Sequence, residues 1–163
     1  DELVATYGNL VNRVLSFTYR NFDGKIPPKQ ELTSDDLELI EQVKQVMLDV
    51  DNSLYNCKFK AAISRIFSLA QQCNRYLDYS APWKVIKEDK DRAGTILWTC
   101  IAVINCLKAM LNPFLPFSST EIGLEENNVS WSAEDLIDQI VSGHSLNEPF
   151  PLFKKLEIED VNV

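Results

Sequence analysis

Apolar residues recur at helical spacing along most of the chain. In residues 2–20, Leu3, Tyr7, Leu10, Val11, Val14 and Thr18 fall on one stripe, flanked by Leu15 and Phe17, which predicts a first helix. Thr33 or Ser34 caps a second, where Asp35 and Asp36 favour the positive dipole end and Leu37, Ile40, Val43, Met47 and Val50 or Leu54 form the stripe. Asp51-Asn52 is expected to loosen its last turn. A third helix is expected from about Asn56 to Leu77, with Phe59, Ala62, Ile63, Ile66, Phe67, Leu69, Ala70, Cys73 and Leu77 inward. The fourth starts near Asp89–Asp91 and stops at Pro113; it is apolar on most faces, which predicts a central position.

Pro113 to Pro116 then reads as a rigid corner, Ser118–Glu121 as a short fifth turn, and Ser132–Ser142 as a sixth helix with a Ser-x-x-Asp box. Residues 144–163 look irregular, with Phe150, Leu152 and Phe153 as apolar anchors and Leu156–Glu159 extended or a short strand. No segment shows the strand–helix alternation of a nucleotide fold. The fold class is therefore all-α, an antiparallel bundle of four to six helices over residues 1–143 with a tail over 144–163 that packs back on it or on a further domain.

Between the third and fourth helices lies Tyr79-Ser-Ala-Pro-Trp-Lys84. Proline biases Ala81 away from helical φ/ψ, so this stretch is expected to be a loop with a fixed entry angle that carries a large aromatic, Trp83. Lys84, Lys87, Lys90 and Arg92 follow it.

Composition narrows the function. The 163 residues, 45% hydrophobic, suit one domain with a real core. The most apolar stretch, Ala93–Leu111, is broken by Asn105 and Lys108 and reads as a buried helix rather than a membrane span. The chain opens on Asp1 without an initiator Met, as expected of a piece of something longer or processed. The net charge is −8, yet residues 1–120 hold 14 Lys+Arg against 14 Asp+Glu, whereas residues 121–163 hold 2 against 10. The acidity belongs to the tail and does not exclude a nucleic-acid partner for the bundle. Four cysteines without a CxxC pair, all in helical patterns, read as reduced packing residues of a cytosolic protein, with no metal site.

Catalysis fails on inventory. Five glycines form no phosphate loop, and the one histidine, His144, sits in a Ser-Gly-His-Ser turn without a nucleophile or metal partner. The Asp35/Asp36 and Glu125/Glu126 pairs read as a helix start and a solvated loop, and Glu-x-x-His is absent. No catalytic residue and no cofactor is assigned to this chain.

Binding fares better. Asn9 and Arg13 project ~40° apart on the polar face of the first helix, with Arg20 between them. Taken alone, such a pair is more often a solvated face, and a lone Trp83 more often a packing aromatic. Together they supply what recognition of unpaired RNA needs: an aromatic face for a base, amide and guanidinium donors for its edge, and nearby cations for phosphates.

Tyr7-Gly-Asn-Leu-Val-Asn-Arg-Val-Leu-Ser-Phe17, Phe22-Asp-Gly-Lys-Ile-Pro27, Asn74-Arg-Tyr-Leu-Asp-Tyr-Ser-Ala-Pro-Trp-Lys84, Pro113-Phe-Leu-Pro116 and Pro151-Leu-Phe153 resemble, in order and spacing, the anticodon-binding domain of methionyl-tRNA synthetases, and the resemblance covers essentially the whole chain. It implies an α-helical reader of the CAU anticodon, with Asn9, Arg13 and Trp83 contacting anticodon bases. Arg20, Lys84 and Lys87 are candidate phosphate contacts. It further implies a cytoplasmic parent enzyme that attaches methionine to tRNA with ATP in a separate catalytic domain, whose HIGH-type and KMSKS-type signatures are absent from this sequence. The expected partners are the anticodon stem-loop of methionine tRNA and that catalytic domain, without DNA or membrane. The competing expectations are a helical protein–protein module and the equivalent domain of another class I synthetase.

Overall fold

The computed structural model describes residues 2–114 and 132–146, and its elements are all helical: α1 (Glu2–Asn21), α2 (Ser34–Tyr55), α3 (Phe59–Ser80), α4 (Pro82–Val85), α5 (Lys90–Leu111) and α6 (Ala133–Asp138). The fifth turn expected near Ser118, the Phe150–Phe153 anchors and the Leu156–Glu159 segment lie outside the described residues.

The stripe expected for α1 is its buried face: Tyr7, Leu10, Val11, Val14, Leu15 and Thr18. The buried Thr18 hydroxyl donates to the Val14 carbonyl at 2.7 Å, so it costs the core little. α1 ends where Asp23 and Gly24 take positive φ, and a Cβ at Gly24 would stand 3.0 Å from the Tyr19 ring.

α2 departs from expectation in its first turn. Thr33 caps it in a capping box with Asp36, but Asp36 is fully buried and Leu37 is 53% exposed. Successive helical residues point ~100° apart, so turning Asp36 inward toward the Arg92 guanidinium turns Leu37 out. The apolar face is Leu39, Ile40, Val43, Val46, Met47 and Val50, and helix continues through Asp51-Asn52 to Tyr55. In α3 the inward residues are Ala62, Ile66, Leu69, Ala70, Cys73 and Leu77; Phe59, at the helix start beyond the core's edge, is 53% exposed rather than inward. Cys57 lies not in a helix but in the turn before α3, at φ 57° and exposed, whereas the other three cysteines are buried.

α5 is the central rod and touches α1, α2, α3, α4 and α6. By length and composition it could cross a membrane, despite Asn105 and Lys108; its apolar surface is instead covered by the other helices. Asn105 is satisfied inside by donating to the Leu136 carbonyl at 2.7 Å, and the Trp98 indole N–H donates to the Ile140 carbonyl at 3.1 Å. These two bonds fasten α6 and its exit to the rod. α6 is capped by Ser132 as the box predicts, but it is one and a half turns long instead of reaching Ser142. The chain then pairs with residues 24–26: Gly143 and Leu146 donate to the Ile26 and Gly24 carbonyls, and the Ile26 N–H donates to the His144 carbonyl.

Candidate nucleic-acid interface

α3 stays helical to Ser80, further than the proline suggested. Ala81 alone makes the corner, in the left-handed region at φ 46°, ψ 63°, and Pro82 opens the one-turn α4 that carries Trp83. Proline suits a helix start because its missing N–H would be unbonded there anyway. A non-glycine residue in this region costs on the order of 1 kcal/mol. Backbone bonds from Lys84 and Val85 to the Ala81 carbonyl hold the turn.

The turn projects Trp83 toward α1. The Arg13 guanidinium carbon lies 5.6 Å from the Trp83 ring centroid, within cation–π range. Arg13 is gripped from the other side by α3: it donates to Asn74 Oδ1 at 3.3 Å and pairs with Asp78. Asn74 is anchored in turn by donating to the Thr6 and Ala70 carbonyls, each at 3.3 Å. Beside this clasp runs an open groove of about 410 Å³. α1 walls it with Asn12, Arg13, Ser16, Phe17 and Arg20, and α4 closes the other side with Trp83. Leu77, Pro82 and Leu97 supply an apolar floor.

Of the residues singled out from sequence, Arg13 and Trp83 are brought together and Arg20 joins them in the groove. Asn9 is exposed one turn before Arg13 and outside the groove walls. Lys84 and Lys87 are exposed on α4 and the turn after it and are not among the residues that line the groove. Asn12 and Ser16 went unremarked in the sequence. The signal was present, since residues 9, 12, 13, 16 and 20 all project within a ~100° arc of one helix face. Among the described residues, no three His, Cys, Asp or Glu side chains gather as a metal site requires.

Arg92, grouped above with the lysines after Trp83, points inward. Its Nη1 and Nη2 meet the two oxygens of Asp36 at 2.6 and 3.0 Å, and the Tyr76 hydroxyl donates to the same carboxylate. Burial pushes the Asp36 carboxyl pKa up. Hydrogen bonds from Arg92, Tyr76 and the Thr33 backbone, with the Arg92 charge, outweigh it and hold the carboxyl below its usual range. Bonding to Asp36 raises Arg92 in turn. Tyr76 precedes the Trp83 turn on α3 and Arg92 follows it on α5, so one buried carboxylate ties together both elements that flank the turn.

Comparison with known proteins gives one consistent result. Residues 26–163 match the family model for the anticodon binding domain of methionyl tRNA ligase. A methionine–tRNA ligase of Dehalococcoides mccartyi is 44% identical over 96% of the chain, and one of Phocaeicola vulgatus 39% identical over 99%. The chain spans 29% and 24% of those two proteins, so it corresponds to a minor part of each. A solved Mycobacterium tuberculosis methionyl-tRNA synthetase, in complex with methionyl-adenylate, superposes with a TM-score of 0.83 over 92% of the chain and 31% of its own. At 23% identity that likeness speaks for the fold alone.

Proposed function

The chain belongs to the anticodon-binding domain family of methionyl-tRNA ligases, and we propose that it binds methionine tRNA by its CAU anticodon at the groove between α1 and α4. The observation that carries this reading is Arg13 standing over Trp83 beside that groove. A cavity of this size with one aromatic wall and an apolar floor suits a single unstacked base, and guanidinium and amide groups on the other wall suit its polar edge. Trp83 supplies the stacking face; Arg13, with Asn9 one turn earlier on α1, supplies donors. Arg20, which lines the groove, and Lys84 and Lys87, which follow Trp83 in the chain, are assigned to the flanking phosphates. The parent reaction, ATP-dependent attachment of methionine to tRNA in the cytoplasm, is assigned to a catalytic domain elsewhere in the parent enzyme, and this chain binds without aminoacylating.

Titration of the chain with anticodon hairpin RNAs tests the reading. Trp83→Ala is expected to remove ~1–3 kcal/mol of binding to a CAU hairpin. Replacing Lys84 or Lys87 by alanine is expected to weaken binding to every hairpin alike and to lower the salt slope by about 1 for each phosphate that is no longer neutralised. Wild-type binding that ignores the anticodon, or a Trp83→Ala chain that binds as well as wild type, would overturn the proposal and favour a protein-binding module.

A further inference from the structure

We infer that the strained corner at Ala81 fixes where Trp83 stands before RNA arrives, and that Asp36, buried on α2, keeps the corner set. The inference rests on the anticodon-binding reading above; it assigns positioning residues that touch no nucleotide. Among the described residues, the non-glycine positions with positive φ are Asp23, Cys57 and Ala81. Ala81 alone of these stands beside the candidate reader, two residues before Trp83. An aspartate can bond locally through its side chain in this region; alanine cannot, so its own side chain does nothing to offset the strain. Such a conformation persists only where the surrounding structure over-determines it.

Two sets of contacts do so here. Close by, the Ala81 N–H donates to the Leu77 carbonyl at 2.9 Å, and the Ala81 carbonyl accepts from Lys84 and Val85 at 2.9 and 3.1 Å. Leu77 and Pro82, on either side, are buried, so the corner cannot swing out without exposing them. Farther off, one Asp36 carboxylate holds both Tyr76, ahead of the corner, and Arg92, beyond it. Arg92 also donates to the Thr33 hydroxyl at 3.3 Å, so both ends of the segment 76–92 are fastened to the start of α2. With its ends fixed there, the segment has little room for another entry angle into α4. Arg13 meets the Trp83 ring and the side chains of Asn74 and Asp78, and leaves the backbone corner to these other contacts. RNA then finds the aromatic already in place, and no ordering of a loose turn is subtracted from its affinity.

The test titrates the chain with a CAU hairpin and follows the Lys84 and Val85 amides, which bond to Ala81, by hydrogen exchange. Ala81→Gly removes the strain and with it the restriction to one corner. It is expected to melt no lower than wild type, because relief of strain offsets the freedom that glycine adds to the unfolded chain. Its affinity is nevertheless expected to fall about fivefold, with about fivefold faster exchange at both amides. Tyr76→Phe, which takes one arm from Asp36 and keeps the ring, is expected to move both readouts the same way. The double variant should lose no more affinity than the weaker-binding single one, since both loosen one turn. Val50→Ala, a core truncation toward the other end of α2, is expected to lower the melting temperature and leave affinity and exchange unchanged. If Ala81→Gly keeps wild-type affinity while Trp83→Ala loses binding, the inference fails and the anticodon reading stands. If Val50→Ala weakens binding as much as Ala81→Gly does, binding merely tracks stability and the corner has no positioning role. Wild-type affinity in Tyr76→Phe would strike Asp36 from the device. If a hairpin with another anticodon binds wild type as tightly and Trp83→Ala binds normally, the underlying reading has failed.

Discussion

The Arg13 guanidinium lies over the Trp83 ring while its terminal nitrogens are held by Asn74 and Asp78. One side chain from α1 thus joins the end of α3 to the single turn that carries the aromatic. The arrangement uses properties that only arginine combines: a flat face for the ring and a fork for two acceptors. Arg13→Lys keeps the charge and loses both. It is expected to weaken binding of a CAU hairpin by about 1 kcal/mol, roughly fivefold. Because the Arg13–Asp78 pair is well solvated at side-chain exposures of 30% and 61%, stability should fall by less than ~1 kcal/mol. Hairpin titration beside a thermal melt separates the two effects, and a lysine variant that binds as tightly as wild type would remove Arg13 from the reader.

The Asp36–Arg92 pair makes the opposite prediction, large in stability. Asp36 is fully buried, and Asp36→Asn would leave the Arg92 guanidinium facing a neutral amide, with the bond to Tyr76 broken or reversed. Removing one partner of a buried pair is strongly destabilising; with the Arg92 side chain 26% exposed, the cost is expected to be about 2–3 kcal/mol. The pH dependence follows from the sign of the shift. Asp36 is held below its usual range in the folded chain, so its contribution is complete above about pH 4 and disappears as pH falls below that. Denaturant melts of the two chains should therefore differ at pH 7 and converge on acidification. A constant gap across that range would contradict the assignment.

These two pairs mark what a sequence exposes and what it hides. The α1 stripe and the apolar α5 were legible because local periodicity decides them, as was the pairing of a guanidinium with Trp83, since their chemistry converges. Asp36 was legible only as a helix-start residue, because the partner that draws it inside lies on α5 and leaves no mark near α2. The outward turn of Leu37 is its consequence. Ala81 hid for another reason: proline disfavours the right-handed helical region for its predecessor and says nothing about the left-handed one. Asn12 and Ser16 were visible by projection, but the hydrogen bond between them required coordinates.

The cysteines should separate cleanly by reactivity. Cys57 is exposed in a turn, while Cys73, Cys100 and Cys106 are fully buried. Burial pushes the Cys106 thiol up to about 12, and a hydrogen bond with Cys73 together with burial raises Cys100 well above its ordinary value. The thiolate is the reacting species, so at pH 8 Cys100 and Cys106 are blocked both by access and by protonation, and Cys73 by access. Ellman's reagent is expected to find one thiol in the native chain and four after denaturation. Mass spectrometry should place the native label on Cys57, and prompt labelling of a second cysteine would contradict the packing.

Tyr7 sets the last test, on the core itself. Its ring fills α1's buried face at 1% exposure, yet its hydroxyl has no hydrogen-bond partner among the described residues. Burial drives its pKa far up, so the group stays a neutral phenol and ionisation offers no relief. A buried hydroxyl without a partner costs roughly 1–3 kcal/mol of desolvation. Tyr7→Phe removes that cost and keeps the ring that packs among Leu10, Val11 and their neighbours. The gain is reduced by the few dispersion contacts of the missing oxygen, so stability is expected to rise by about 1 kcal/mol, or ~2–4 °C in Tm for a chain of this size. Thermal melts of the two chains decide it, because the sign itself is at issue. A phenylalanine variant that melts lower than wild type would show that the Tyr7 hydroxyl is bonded in the folded chain.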